Sequence, residues 1–435
     1  MKTTPETIKK RLISIIKDMS ADPSFFVKNP EKDFTRNRKL NFESMLLFLL
    51  RKGGGSLQSE LMEFSNYASD TVTTSAFIQQ RKKLLPFALE YILHKLTSSF
   101  PGDKRHKGNR LLAVDGSDFI IPANPKETAN HFVSNPDGKG YNMLHLNALY
   151  DLCNNTYVDA LIQNRRDANE RKALISLVGR SNISDPVILI ADRGYESYNA
   201  LAHIEKKGWK YLFRIQDHSG RGILSGLTPP NASEYDIQVQ KILTRKQTKE
   251  IRAKPEIYRF MPKNSAFDFL ESNMFYPISF RIVRFRISEE SYEVIITNLD
   301  QKDFPPQELK KLYHMRWGIE SAFRTLKYSV GALNFHSKKA EYISQELFAA
   351  IIMYNFSQMI ISLIIIPQKE TRYSYQLNVS LAIRVCRHFF RSRDPAHPPD
   401  FEALILANTL PVRNGRCFAR KVRFRQAIGF NYRIS

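Results

Sequence analysis

The sequence predicts an α/β protein in which a mixed sheet with flanking helices is interrupted by a β-rich block and preceded by a helical region. Apolar residues recur at helical spacing through about the first 105 positions. Short apolar runs then alternate with helical patterns, as in sheets covered by helices. A further group of strand-like segments follows, before a helical pattern resumes near position 305.

The N-terminal region, residues 1–105, is predicted to contain short helices joined by polar turns. Apolar residues have helical spacing in NFESMLLFLLRKGG, and glycines end that segment. The last predicted helical stretch carries Arg81, Lys82 and Lys83. A helix-turn-helix module and a helical bundle with a basic rim are both compatible with this pattern.

The next region, residues 106–215, alternates strand and helix patterns. We expect RLLAVDGSDFIIP to form a strand that ends near Asp115, with Asp118 in the following turn. HLNALYDL and TYVDALIQ predict a hairpin, in which His145 would be a hydrogen-bonded core histidine. DPVILIAD predicts a strand buried on both faces that ends at Asp192. Helices are predicted around it, the first beginning at DANERK, and a last strand is predicted at WKYLFRI.

Residues 216–305 are predicted to be mostly strands, inserted into the sheet-containing domain. In YPISFRIVRFRIS the basic residues Arg281, Arg284 and Arg286 alternate with apolar residues. This alternation predicts a strand pair with a basic outer face.

Two further regions complete the chain, residues 306–367 and 368–435. The first contains LFAAIIMYNFSQMIISLIII, whose polar interruptions favour a buried core helix over a membrane span. The second ends with the basic segment VRNGRCFARKVRFRQ, which we expect to contact phosphates. Because the apolar segment in 306–367 favours a core helix, we expect no membrane partner.

The charge of the chain points to a polyanionic partner. Lys and Arg number 65 against 43 acidic residues, which gives a formal net charge of +22. Nucleic acid is the commonest partner of so basic a protein. The three cysteines are far apart and form no CxxC pair, which argues against a zinc site or a disulfide framework. The N-terminus lacks the apolar core of a signal peptide.

Three carboxylates are candidates for a metal centre. Asp115 and Asp192 each follow a buried apolar run, where a carboxylate is costly unless a cation meets it. Glu320, on a predicted helix that packs on the sheet, would add a third carboxylate. Hard oxygen ligands without a histidine or cysteine cluster select Mg²⁺ or Mn²⁺. Two such ions can activate an attacking oxygen and stabilise a leaving oxygen at a phosphodiester.

The glutamate lies within a regularly spaced set of polar residues, YHMRWGIESAFRTLK. On one continuous helix, Tyr313, Arg316, Glu320 and Lys327 would share an arc of about 60°. Surface ion pairing is the simplest explanation of Arg316 and Glu320, which are i,i+4 neighbours. The two strand-end aspartates favour a functional explanation instead.

These motifs resemble those of DDE transposases of bacterial insertion sequences, in the subgroup marked by Y-x2-R-x3-E-x6-K. AVDGS around Asp115 and ADRGY around Asp192 are similar to the two aspartate motifs of that family. The resemblance implies an RNase H-like catalytic domain built from 106–215 and 306–367, with 216–305 as its β-rich insertion. It also implies a DNA-binding role for 1–105.

The resemblance implies a reaction and its partners. Asp115, Asp192 and Glu320 would be catalytic and hold two Mg²⁺ ions, for which Mn²⁺ can substitute. The protein would cut double-stranded DNA at terminal inverted repeats and join the freed 3′ ends to target DNA. It would act as a homodimer in a synaptic complex, in the bacterial cytoplasm and at the nucleoid.

The remaining candidate site residues would contact DNA. Arg316 and Lys327 would bind phosphates beside the scissile bond, and Tyr313 offers a ring and a hydroxyl. Arg193 would orient Asp192, touch DNA or make a buried structural pair. Trp317 would stack on a flipped base or pack in the protein.

Three other functions are compatible with parts of this pattern. A metal-dependent nuclease without strand transfer would share the carboxylates. A non-catalytic DNA-binding relic of a transposase would share the charge and the fold. An RNA-binding structural protein would explain the charge but not the strand-end aspartates.

Overall fold

The structure is a computed structural model that describes residues 3–36, 38–133, 140–217, 222–271, 274–289, 291–366, 374–392 and 400–412. The helices within these ranges are α1 (Pro5–Ala21), α2 (Phe42–Arg51), α3 (Leu57–Phe64), α4 (Thr74–Arg81), α5 (Phe87–Ser99), α6 (Glu170–Arg180), α7 (Tyr198–Lys206), α8 (Lys249–Arg252), α9 (Pro306–Met315), α10 (Trp317–Tyr328), α11 (Ala340–Ile361), α12 (Val379–Arg391) and α13 (Phe401–Leu406). The strands are β1 (Arg110–Ile121), β2 (His131–Phe132), β3 (Tyr141–Asp151), β4 (Thr156–Asn164), β5 (Val187–Ala191), β6 (Lys210–Ile215), β7 (Tyr235–Thr244), β8 (Tyr258–Phe260), β9 (Phe275–Ser288), β10 (Ser291–Thr297), β11 (Tyr375–Gln376) and β12 (Leu410–Pro411).

A mixed sheet forms the centre of the molecule. Its first five long strands lie in the order β4-β3-β1-β5-β6, and the short β2 pairs with the start of β3. Strand β3 runs antiparallel to β1 and β4, whereas β5 runs parallel to β1 and β6. This is the RNase H-like arrangement, so the predicted fold class is confirmed.

The strands of the β-rich block continue the same sheet beyond β6. Strand β10 pairs antiparallel with β6, and β9, β7 and β8 follow in that order. The predicted basic outer face of β9 is wrong at Arg281, which is 3% exposed. Its guanidinium pairs with Asp236 and donates to the Phe304 carbonyl at 2.7 Å, and these partners make its burial tolerable.

Each face of the central strands is covered by a separate apolar core. On one face, Leu111 and Ile188 pack with the N-terminal helices, α10 and α11. On the other face, Leu112 and Leu189 pack with α6 and α7. Burial on both faces explains why these parallel strands read as continuous apolar runs.

The long apolar helix α11 is a core helix, as predicted. Nearly all of its residues are buried, because α1, α2, α5 and α12 pack around it. In the part of the chain that the structure describes, no helix has both the length and the hydropathy of a membrane span.

The N-terminal region is helical, and polar residues fix where its helices begin. The side chain before each of four helices accepts a hydrogen bond from a backbone N–H of the first turn, which satisfies a donor that the helix itself leaves unpaired. These capping residues are Thr4, Asn41, Ser56 and Thr73. At the other end of the chain, the basic segment predicted at 412–426 lies outside the described residues after its first position.

Candidate active site

The parallel strands β1 and β5 bring the two aspartates to one edge of the sheet. Val114 pairs with Ala191, so Asp115 and Asp192 are the next residues on neighbouring strands. Asp115 lies two residues after Ala113, and Asp192 lies two residues after Ile190, both of which belong to the core that contains α10. Because side chains two residues apart along a strand point to the same face, the two aspartates lie on the α10 side of the sheet. The prediction that two strands deliver two carboxylates to one edge is consistent with this geometry.

The predicted end of the first strand at Asp115 is wrong. Strand β1 continues to Ile121, because β3 pairs with it from Leu112 through Ile121. Asp118 is therefore a strand residue opposite His145, not a turn residue. The prediction failed because β3, which supports the extension, is distant in the sequence.

The single helix predicted around the glutamate is also wrong, since it is divided at Arg316. Helix α9 ends at Met315 and α10 begins at Trp317. At the division, the Arg316 N–H donates a hydrogen bond to the Tyr313 carbonyl, and the Ile319 N–H donates to the Arg316 carbonyl. Both follow the i→i−3 pattern, which is tighter than that of an α-helix. Tyr313 and Glu320 consequently belong to different helices.

Arg316 connects Glu320 to Asp115. Its guanidinium lies 2.7 Å from Glu320 Oε1 and 3.4 Å from Asp115 Oδ2, and the residue is 4% exposed. The i,i+4 pair is therefore partly buried, with the arginine held between the helix and β1, and is more than the surface ion pair that the spacing alone suggested.

The positive charge near Asp115 does not offset the burial of its carboxyl group. Burial raises its pKa to about 6, even though Arg316 and the Gly116 N–H favour the ionised form. The carboxylates of Glu320 and Glu170 raise the pKa further. A group of oxygen donors with an excess of negative charge fits a divalent cation.

Asp192 is held by a different arginine. Its Oδ1 accepts from the Arg193 N–H at 2.6 Å and lies 3.0 Å from Arg214 Nε. Arg214 in turn pairs with Glu293 at 3.2 Å. Sequence reasoning missed Arg214, although an arginine inside the apolar strand pattern WKYLFRI was an available signal.

Tyr313 is buried and Lys327 is half-buried near the carboxylates. Lys327 Nζ donates to Ser117 Oγ at 2.8 Å and to the Asp118 carbonyl at 2.7 Å, and burial lowers its pKa to about 8. The Tyr313 hydroxyl has no hydrogen-bond partner among the described residues, and burial raises its pKa.

Trp317 and Arg193 lie at the surface of the site. Trp317 is 53% exposed, and its ring is 5.4 Å from the guanidinium carbon of Arg316. Arg193 is exposed, which excludes the buried structural pairing that we considered for it. Both side chains are accessible to a ligand outside the protein.

A second acidic group lies on another side of the fold. Among the described residues, Glu90, His94 and Asp159 form a group whose ligand atoms all lie within 4.8 Å of one another. Arg180 pairs with Glu90 and with Asp159, each at 2.7 Å. Because this arginine already pairs with both carboxylates, we assign no metal to the group.

Three comparisons relate the chain to known proteins. A family model described as "Transposase DDE domain" matches residues 106–356. The chain is 22% identical over 373 residues to "Transposase InsG for insertion sequence element IS4" of Escherichia coli (strain K12), covering 81% of this chain and 77% of that protein. A solved structure, "Cryo-EM structure of piggyBac transposase synaptic complex with hairpin DNA", covers 93% of this chain and 85% of its own, with a TM-score of 0.40 and 10% identity.

Proposed function

The chain belongs to the family of transposases with a DDE domain, and from this premise we propose that it excises and inserts its own insertion sequence. It cuts DNA at the terminal inverted repeats and joins the freed 3′ ends to target DNA. The observation that carries this proposal is that Asp115 and Asp192 follow paired positions of two parallel strands, with Glu320 joined to Asp115 through Arg316.

The family uses divalent metal ions, and we propose that these three carboxylates hold two Mg²⁺ ions, which Mn²⁺ can replace. Ions bound there activate the attacking oxygen and stabilise the leaving oxygen of the phosphodiester. Asp115, which is partly buried and joined to Glu320 through Arg316, would hold these ions together with Asp192 and Glu320. Arg316 holds Asp115 and Glu320 in place before the substrate binds.

The surrounding side chains would bind the DNA strand that is cut. Arg316 and Lys327 lie beside the carboxylates and would contact phosphates next to the scissile bond, one as a planar fork and the other as a point charge. The buried Tyr313, whose ring lies beside the Arg316 guanidinium, would offer its ring and its hydroxyl to the same strand. The exposed Trp317 would stack on an unpaired base, and Arg193 would contact the backbone.

We propose the same division of the chain as the sequence predicts. Residues 1–105 bind DNA, and 106–215 with 306–367 form the catalytic domain. Residues 216–305 form its insertion, and 368–435 form a basic C-terminal region. Two copies hold two transposon ends in a synaptic complex, and the protein acts in the bacterial cytoplasm at the nucleoid.

Two alternatives share much of this evidence. A metal-dependent nuclease would cut but not join, and it would not need the buried Arg316 and Lys327 beside the carboxylates. A non-catalytic relic would bind DNA only, and retention of all three carboxylates argues against it.

The test uses purified protein and a labelled duplex that carries the end of the element with its flanking DNA. We expect nicking at the end junction in Mg²⁺, followed by joined products, and neither in EDTA. Asp192→Ala is the matched control, which should bind the duplex but not cut it. Cutting without joining would favour the nuclease, and binding without cutting in Mg²⁺ or Mn²⁺ would favour the relic.

A further inference from the structure

A fourth carboxylate, Glu170, approaches both aspartate motifs. Glu170 is the first residue of α6, which is capped by Asn169. A Cβ atom added to Gly116 would lie 2.8 Å from Glu170 Oε1, and one added to Gly194 would lie 2.8 Å from Oε2. The carboxylate therefore lies between the segments that follow Asp115 and Asp192.

The carboxylate approaches from the face of the sheet opposite to α10. Gly116 alternates with Asp115 along β1, so the two positions face opposite sides. Helix α6 packs in the core of that second face. Glu170 therefore lies behind the metal-binding carboxylates rather than among them.

The two glycines are explained by this close approach. Neither Gly116 nor Gly194 has a positive φ, so their backbone conformations are available to any residue. At Gly116 a side chain would also meet the His145 ring, 2.5 Å from the added Cβ. What both positions require is space for a neighbouring side chain.

A partly buried group of charged side chains lies beside Glu170. His145, which is 5% exposed, lies 3.5 Å from Glu170 through Nε2 and 2.7 Å from Asp118 through Nδ1. Asp118 also pairs with Arg165 at 2.8 Å. Burial would lower the pKa of His145, but the carboxylates of Asp118 and Glu170 raise it to about 9, so the imidazole is positively charged at neutral pH.

We propose that Glu170 is a positioning residue that sets the affinity of the Asp115–Asp192 edge for divalent cations. This inference rests on the proposed function. The carboxylate adds negative charge behind the metal-binding residues and lies against Gly116 and Gly194, which leave space for it. Without Glu170, the negative charge of Asp118 alone would not balance the two positive charges of His145 and Arg165. The remaining positive charge would oppose a bound cation.

The test measures Mn²⁺ binding directly, from the electron paramagnetic resonance signal of free Mn²⁺, with the full chain bound to a duplex carrying the transposon end. Glu170→Gln keeps the shape of the side chain and removes its charge. We expect it to weaken Mn²⁺ binding roughly tenfold. The Mg²⁺ concentration for half-maximal cleavage should rise by a similar factor, with the rate at saturating Mg²⁺ nearly unchanged.

Two further variants separate charge from structure. Asp167→Asn removes the same charge from an exposed position on the same connection and should leave Mn²⁺ affinity unchanged. His145→Gln removes a positive charge from the network and should tighten Mn²⁺ binding, the opposite of Glu170→Gln.

The outcomes distinguish this inference from the proposed function. Wild-type chain that binds Mn²⁺ while Glu170→Gln binds it equally well would overturn the role of Glu170 alone. So would a variant with a lower maximal rate and an unchanged Mg²⁺ midpoint, because that result indicates a purely structural role. Wild-type chain that binds no Mn²⁺ and cuts no DNA would overturn both.

Discussion

The group of charged side chains around Glu346 and the group around Asp115 have their charges balanced in opposite ways. Glu346 on α11 is fully buried between Lys52, at 3.0 Å, and Arg81, at 2.7 Å. Burial raises its pKa, but the two cations outweigh that effect and lower it to about 2. Asp115 has Arg316 at 3.4 Å and other carboxylates nearby, and its pKa is raised to about 6.

This is the difference that we expect between a structural group and the proposed metal centre. Around Glu346 every charge has a partner within the chain, and the group joins the N-terminal helices to α11 and the loop before it. Around Asp115 negative charge is in excess, which costs stability and leaves a place for external cations. Strongly perturbed carboxylates at the edge of a sheet are typical of functional sites.

The largest expected effect that follows from this comparison is loss of cleavage on changing Asp115. Asp115→Asn should lower the rate of end cleavage by on the order of a thousandfold or more, since it removes a metal ligand. DNA binding and the melting temperature should not fall. Cleavage of a labelled transposon end and a thermal melt measure the two quantities, and near-normal cleavage in Mg²⁺ would show that Asp115 is not a metal ligand.

The matched change in the group around Glu346 should lower the stability of the fold. Glu346→Gln leaves Lys52 and Arg81 buried without their carboxylate and should lower the free energy of unfolding by about 3–5 kcal/mol. Urea unfolding of this variant and of Asp115→Asn makes the comparison. Equal stability of Glu346→Gln and the wild type would remove the structural role assigned to Glu346.

The pH dependence of stability should also differ between the two groups. The pKa of Glu346 is lower in the folded state, so its contribution is present above about pH 4.5 and is lost as pH falls towards 2. The pKa of Asp115 is higher in the folded state, so wild-type stability falls as pH rises from about 4 to 6.

Asp115→Asn removes the titrating carboxyl group, and with it the fall in stability as pH rises from about 4 to 6. In EDTA its stability relative to the wild type should therefore rise by up to about 3 kcal/mol between pH 4 and pH 7. Denaturant unfolding across this range provides the measurement. Parallel profiles for the two proteins would contradict the raised pKa of Asp115.

The smallest expected effect concerns Lys327. Burial lowers its pKa to about 8, so the charged form is held at a cost in stability. Lys327→Met should be at least as stable as the wild type at pH 7. It should cut a transposon end about tenfold to hundredfold more slowly, because a charged hydrogen bond to phosphate is lost. Destabilisation with an unchanged cleavage rate would assign Lys327 a structural role instead.

The sequence predicted those parts of the molecule that local patterns determine. The strands before Asp115 and Asp192, the helix after DANERK and the buried α11 all follow from the spacing of apolar residues. The same patterns placed the two aspartates side by side, because they follow paired residues, Val114 and Ala191, of parallel strands.

Features that depend on distant segments were missed. Strand β1 extends past Asp115 because β3 supports it, and Arg281 is buried because Asp236 lies on the neighbouring strand. The inward direction of Arg316 depends on the division between α9 and α10, which the regular spacing of YHMRWGIE conceals. Glu170 reaches the site only through the packing of α6 on the sheet.

The most direct test of the account is a count of the Mn²⁺ ions bound by each chain in its complex with a transposon end. If the carboxylates at the sheet edge lack positive charge and obtain it from two divalent ions, wild-type chain will bind two Mn²⁺ ions. Asp115→Asn will then lose them, and Glu346→Gln, studied at a temperature where it is folded, will retain them. Equal binding by wild type and Asp115→Asn would contradict the assignment of this edge as the metal centre.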